Sequence, residues 1–425
     1  MQIDRLKIRN FTGFDFREFT FNPTFNLLVG DNAAGKSSVL DALAVAVGGW
    51  FLGIPGYGSG PGIDSTEVRL VAQQHPDGYT FEKQYPSRIE CEGVVMGERL
   101  HWARGLQHEG GRTTTVDAKP IIRAASEAQR RVQNRQDITL PLICAFGTER
   151  LWFEKSHHKV KRSEADPRRL PSRLDGYRDC LNFTIQETDL RSFIRDEESA
   201  KPGLNGNETI ALRLVKTAIT GCIEDAKTIY YNGRYKDAVV VMQDNSAQLL
   251  RNLSDGQRIM LTNVADIARR IAMLNPDLGE CALKDTPGVV LIDELDLHLH
   301  PKWQRRVIHD LKRTFPSLQF IATTHSPQLI GEALPEEIML LDGGGTTSVP
   351  RSFGIDSSRI LEEVMGAESR NPDVKRLVTR LFSLIDKEEF DQARSLLSDV
   401  EARLGADDPD VTRARALMVF LGSNA

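Results

Sequence analysis

The sequence predicts an α/β protein with a mixed, largely parallel core sheet, an antiparallel meander, a helical insert and a C-terminal helical appendage. Three observations carry this. Buried-looking strands at Phe25–Val29, Gly288–Glu294 and Phe320–Ser326 are short, largely apolar runs, as strands covered on both faces are. Between Glu67 and Trp102, short alternating runs are separated by Gly, Pro and Asp, the texture of an antiparallel meander. The stretch beyond residue 346 is helical in spacing.

Taken in order, Ile3–Phe11 and Phe14–Phe21 alternate apolar and polar residues, so two half-buried strands precede the apolar strand Phe25–Val29. Next comes Gly30-Asp31-Asn32-Ala33-Ala34-Gly35-Lys36-Ser37-Ser38, and then an apolar helix to Val47. Strand, glycine-bounded loop, Lys-Ser and helix form the context in which G-x-x-x-x-G-K-S is a phosphate cradle. Glycines let backbone N–H groups close around an anion, and the helix N-terminus adds its dipole. Gly30, Asn32, Ala33, Ala34, Gly35, Lys36, Ser37 and Ser38 are therefore the expected nucleotide-binding residues. Lys36 would lie along the β- and γ-phosphates and the Ser37 hydroxyl on Mg²⁺. The chain is expected to bind a nucleoside triphosphate. The Gly-rich run Gly53–Gly62 lies between no strand and helix, so it is read as a loop.

Composition sets outer bounds. The 425 residues are 40% hydrophobic and 27% charged, ordinary globular values, with a formal charge of −5 that argues against a wholly basic nucleic-acid binder. Five scattered cysteines without C-x-x-C read as buried thiols in a reducing compartment. Nothing approaches the roughly 18 uninterrupted apolar residues of a membrane span, and Met1–Leu6 has no signal-peptide core, so the expected location is cytoplasmic.

Four blocks are expected: residues 1–110 with the phosphate loop, a largely helical insert at 111–252, a second lobe at 253–345, and the appendage at 346–425. In the insert, helices are expected over 120–136, 191–198 and 209–226, with strands at Leu140–Gly147 and Asp237–Met242. A basic stretch at 155–169 (Lys155, Lys159, Lys161, Arg162, Arg168 and Arg169 against Glu164 and Asp166) reads as a solvated loop or as a patch for phosphates or a partner. Leu253-Ser254-Asp255-Gly256-Gln257 precedes a periodic helix, Ile259–Leu274. Asp293 and Glu294 end one apolar strand, and His325 ends another.

Together these motifs resemble an ABC-class ATPase. Within that class, I-x-x-L-x-I-x-N-F at 3–11, the G-x-N-x-x-G-K-S loop, D-E-x-D-x-x-L-H-P at 293–301 and T-T-H-S-P at 323–327 look like the RecF/SMC/OLD branch. Ser172–Tyr177, Leu295–Trp303 and Ser358–Gly366 are similar to stand-alone anti-phage defence ATPases, the Septu type among them. The resemblance implies ATP and Mg²⁺ as cofactors, with Asp293 and Ser37 on the metal. It implies Glu294 as the general base and His325 at the γ-phosphate. Ser254, Gly256 and Gln257 would reach the γ-phosphate bound by a second chain. One loop and one signature per chain then imply a head-to-tail homodimer at least. Gln186 and the Phe146–Arg150 turn both remain open as the Q-loop. His298 and His300 read as interface residues or a metal pair lacking a third ligand. Ala33 and Asp255 stand where glycines are common. Two functions follow from the resemblance: an ATP-driven switch over a separate effector such as a nuclease, or a RecF-like ATPase that contacts DNA through 155–169. A nucleotide sensor that hardly turns over is a third.

Overall fold

A computed structural model describes residues 1–57, 60–148, 172–183, 187–200, 203, 205–342, 346–349, 351–368 and 370–422. The basic stretch 155–169, Gln186 and Arg150 lie outside the described residues. The chain divides into two compact units, Met1–Ile355 and Asp356–Ala425.

In the first unit, β1 (Gln2–Phe11) and β2 (Phe14–Thr20) pair antiparallel and lead to β3 (Phe25–Gly30), the phosphate loop and α1 (Lys36–Val47). Then come β4 (Leu70–His75), β5 (Gly78–Lys83), β6 (Ser87–Val95), β7 (Glu98–Leu106), α2 (Lys119–Gln133) and β8 (Leu142–Phe146). After the undescribed stretch follow α3 (Glu187–Ala200), α4 (Ile210–Cys222), β9 (Ala226–Asn232), β10 (Asp237–Met242), β11 (Ala247–Leu249) and α5 (Asp255–Leu274). The unit ends with α6 (Ala282–Asp285), β12 (Gly288–Ile292), α7 (Pro301–Gln304), α8 (Val307–Thr314), β13 (Leu318–Thr323), α9 (Pro327–Ile330), β14 (Ile338–Leu341) and β15 (Thr346–Ser348).

The core sheet runs β15-β14-β3-β13-β12-β8, parallel except for the edge strand β15. β8, β12 and β13 are buried at every position, the pattern of a sheet covered on both faces. A second sheet, β2-β1-β6-β7, is antiparallel, and α1 packs against strands of both sheets. Ile3, Leu6, Ile8 and Phe11 of β1 are wholly buried, although the register shifts between Ile3 and Arg5. Buried Gln319 of β13 stitches the sheets together there. Its Oε1 accepts from Ile3 N at 2.7 Å, and its Nε2 donates to Ile3 O at 2.8 Å.

Several expectations need correction. The runs from 67 to 102 do not form one meander: β4 and β5 make their own two-stranded sheet, while β6 and β7 join β1. Alternation fixes a strand's faces and leaves its partner open. The 111–252 segment contains helices α2, α3 and α4, but it also supplies β8 to the core sheet and folds a three-stranded sheet, β11-β10-β9. β9 was not expected, and the helix expected to reach residue 226 stops short of it: α4 ends at Cys222 and Ala226 already pairs with Met242. Cys91, Cys144, Cys180 and Cys222 are buried thiols, whereas Cys281 is exposed in an irregular turn.

The Ser172–Tyr177 motif is a structural staple. Ser172 and Asp175 form a reciprocal cap, Tyr177 donates to Pro141 O at 2.8 Å, and its ring packs edge-on to Trp50 and Phe51. Arg270 of α5, paired with Asp266 at 2.6 Å, donates to Gly176 O and Arg178 O, so the ion pair's burial is compensated by further hydrogen bonds.

The second unit comprises α10 (Ser357–Glu363), α11 (Pro372–Asp386), α12 (Phe390–Leu404) and α13 (Pro409–Gly422). Leu381, Ile385, Ala393, Val400 and Val411 form its own core, at the helical spacing seen in the sequence.

Candidate functional site

Parallel strands deliver their chemistry at their carboxyl ends. β3, β12 and β13 lie side by side, so the phosphate loop after β3, the Asp293–Glu294 pair after β12 and the Thr323–Ser326 turn after β13 converge. Both apolar strands are shorter than expected, ending at Ile292 and Thr323, so Asp293, Glu294 and His325 sit on the turns beyond them.

The loop fits an anion. Gly35 caps α1 without any side-chain acceptor, and the first amides of a helix have no intrahelical partner. Gly35 has φ +92°, and a Cβ there would run into the Phe14 ring, so β2 sets the loop from beneath. Ala33 adopts φ +67° in the position where glycine is common, a strain of about 1 kcal/mol. Lys36 is buried, and its Nζ donates to Gly30 O and Asp31 O, both at 2.8 Å. Burial lowers its pKa, while the carboxylates of Asp293, Asp31, Glu294 and Asp296 act in the opposite sense.

Ser37 Oγ donates to Asp293 at 3.0 and 3.2 Å, a hydroxyl and a carboxylate paired as a hard-cation site requires. The residue that sequence reasoning missed is Thr323. Its Oγ1 donates to Asp293 Oδ1 at 2.6 Å and accepts from Glu294 N at 2.7 Å, so one hydroxyl at the end of β13 fixes both acids of the neighbouring strand. Glu294 has φ +48°, an unfavourable turn held by this clamp and by Leu295 N on Thr323 O. Thr324 Oγ1 holds Asp296 at 2.6 Å, and Ser326 Oγ reaches Gln304 Oε1 at 2.7 Å. The T-T-H-S run was legible as a motif; that its hydroxyls hold the D-E-x-D acids was not. His325, half-buried, sits between these clamped residues.

Asp41, one turn into α1, is a second unforeseen element. Burial raises its carboxyl from 3.8 to about 6, and repulsion from Glu67 and then Asp293 adds to this. An acid whose folded pKa lies above its unfolded value gives full stability below about pH 4 and loses it as pH rises through about 6. Asp41→Asn protein should therefore melt about 2–4 °C above wild type at pH 8, the gap closing by pH 4. Equal gaps at both pH values in a thermal-melt series would refute this.

The family comparison adds the deciding observation. Residues 5–225, more than half of the chain, match an AAA-domain family model, and residues 241–331 match a second AAA-domain model whose description also refers to the AbiEii toxin and type IV toxin–antitoxin systems. The chain belongs to the AAA-domain family and is an ABC-class ATPase. A curated relative, the "Retron Ec83 probable ATPase" of Escherichia coli, is 25% identical across 96% of this chain and 85% of its own length. The Septu protein PtuA of Bacillus mycoides is 31% identical across 94% of this chain, which spans about half (51%) of that relative. Among solved structures, the SMC head domain from Thermotoga maritima aligns over 83% of this chain and 99% of its own, at 15% identity and a TM-score of 0.45.

Ser254, Gly256 and Gln257, the expected signature residues, line a cleft to which the Lys36 loop contributes no residue. Helix α5 begins four residues earlier than expected, at Asp255, because Ser254 and Gln257 form a reciprocal cap: Ser254 N donates to Gln257 Oε1 at 3.1 Å and Gln257 N to Ser254 Oγ at 3.4 Å. Such a cap stabilises a helix start by about 1 kcal/mol. Ser254, Gly256 and Gln257 line an open cleft with His298, His300 and Trp303. A Cβ at Gly256 would meet the His298 carbonyl, so the signature turn rests on the 298–300 backbone. Asp255, at the other usual glycine position, is exposed and pairs with Arg258. His300 Nδ1 accepts from Lys302 N at 3.2 Å, capping α7, and no cluster of three or more His, Cys, Asp or Glu suited to a metal occurs among the described residues. No helix among the described residues is long and apolar enough to cross a membrane.

Proposed function

We propose that this ATPase closes on ATP as a head-to-tail pair of identical chains, hydrolyses it, and so governs a separate effector, a nuclease, in anti-phage defence. One observation supports the paired arrangement above others: the cleft on which Ser254, Gly256 and Gln257 open is lined by none of the residues of the Lys36 loop. This supports a signature that serves a phosphate held by another copy.

In this reading the loop amides and Lys36 grip the β- and γ-phosphates, and Ser37 and Asp293 hold Mg²⁺, which screens the phosphate charge when bound. Glu294 accepts the proton of the attacking water, and His325 donates to the γ-phosphate. Thr323 positions both acids. From the partner copy, Ser254 and Gln257 supply polar groups, and the amide end of α5 supplies its dipole. The defence role draws on the retron and PtuA relatives and on the Septu-like motifs.

Native mass measurement of Glu294→Gln protein tests this reading. Mg-ATP should double its mass, and expression with its genomic neighbours should bring a nuclease through purification. Glu294→Gln/Ser254→Arg protein should bind ATP yet keep its nucleotide-free mass, because a guanidinium at the cap blocks the approach of a second chain. A mass that ATP leaves unchanged sinks the paired mechanism; co-purification of nucleic acid without a nuclease sinks the effector.

A further inference from the structure

We propose that the small sheet β9–β11 carries a second ligand site, which takes a nucleotide unit: a base stacked on tyrosine with its phosphate against neighbouring cations. A shallow depression on this sheet is lined by Tyr230, Asn232, Tyr235, Gln248 and Asn252, with aliphatic side chains completing it and no carboxylate in the lining. Tyr230, Val239 and Leu249 face one another across the three strands and form a flat apolar row. Tyr230 is 37% and Tyr235 51% exposed, a large aromatic surface for a sheet whose central strand is buried. The three amides each offer a donor and an acceptor, the combination that base edges require.

Charge at this end of the sheet is positive. The Arg234 guanidinium lies 6.0 Å from the Tyr235 ring centre, and Lys236 is exposed beside it. Wholly buried Asp237 pairs with Arg191 at 2.9 Å, which Glu187 also holds, and with Arg251 at 3.7 Å, and Arg251 is half exposed. The exposed acids Asp225 and Asp244 flank the opposite ends of β9 and β10. Aromatic faces with adjacent cations and amides suit stacked bases and their phosphates. The unit could be a free mononucleotide or one residue of a single strand; the chemistry is shared. A single residue, Leu253, separates Asn252 from Ser254, so an occupant here adjoins the Ser254 cap.

The test uses the full chain without ATP, so its outcome is independent of hydrolysis and pairing. Fluorescence anisotropy with a labelled 12-nucleotide oligothymidylate should show binding at low salt. Tyr230→Ala/Tyr235→Ala should weaken it by roughly tenfold per tyrosine, while Tyr230→Phe/Tyr235→Phe, which keeps the rings, should retain it. Arg234→Ser/Lys236→Ser should flatten the salt dependence by about one unit of slope. Displacement by millimolar thymidine monophosphate would identify a free nucleotide as the source, and resistance to it a strand. Absence of binding by both probes, or affinities unchanged in the alanine and serine variants, overturns the proposal.

Discussion

Glu294→Gln protein should turn over ATP about 10²–10⁴-fold more slowly than wild type while binding it normally. The substitution keeps the side chain's shape and removes its capacity to accept a proton. The backbone at 294 is held independently of that side chain, by Thr323 Oγ1 on its N–H and by Leu295 N on Thr323 O, so the positive-φ turn survives. A loss confined to kcat, with nucleotide affinity intact, separates a chemical role from a structural one. Steady-state phosphate release with parallel binding of a fluorescent ATP analogue reads both. Equal rates in wild type and variant would remove Glu294 from the chemistry and leave a nucleotide sensor as the surviving description.

Lys36→Ala should abolish measurable ATP binding and also destabilise the nucleotide-free protein. The first effect follows from losing a buried cation at the phosphates. The second is specific to this geometry: Lys36 donates to Gly30 O and Asp31 O at 2.8 Å, and removing it strips both carbonyls of a charged donor. Hydrogen bonds to charged groups contribute about 1.5–3 kcal/mol each; the desolvation that lowers the Lys36 pKa offsets much of this, leaving about 1–2 kcal/mol. Calorimetric titration and denaturant unfolding check the two parts. An Lys36→Ala protein with wild-type ATP affinity would refute the assignment of the loop.

Much of this architecture could be read in the residues. Short, largely apolar runs marked the β3, β12 and β13 strands because a strand covered on both faces has no solvent-facing polar side. Gly30–Ser38 was legible because a backbone cradle needs glycine and a following helix. What stayed hidden was pairing and small hydroxyls. Nothing in Leu70–Lys83 says that this hairpin stands apart from β6 and β7, since cross-strand partners are chosen by tertiary packing. Thr323 looked like one more β-branched strand residue, although its hydroxyl bridges Asp293 and Glu294. β9 was obscured because Ile210–Cys222 and Ala226–Asn232 are both apolar-rich, with only three residues between them to mark the change of period.

The contact of Gly256 with the His298 carbonyl gives the molecule a rigid lever. The helix start is seated directly on a neighbouring backbone, with no side chain between the two to absorb displacement. The same loop carries Asp296, whose backbone oxygen accepts from Leu299 N and whose carboxylate Thr324 ties to the end of β13. The Ser254 helix start and the acids beyond β12 therefore rest on one continuous stretch of backbone, residues 293–300.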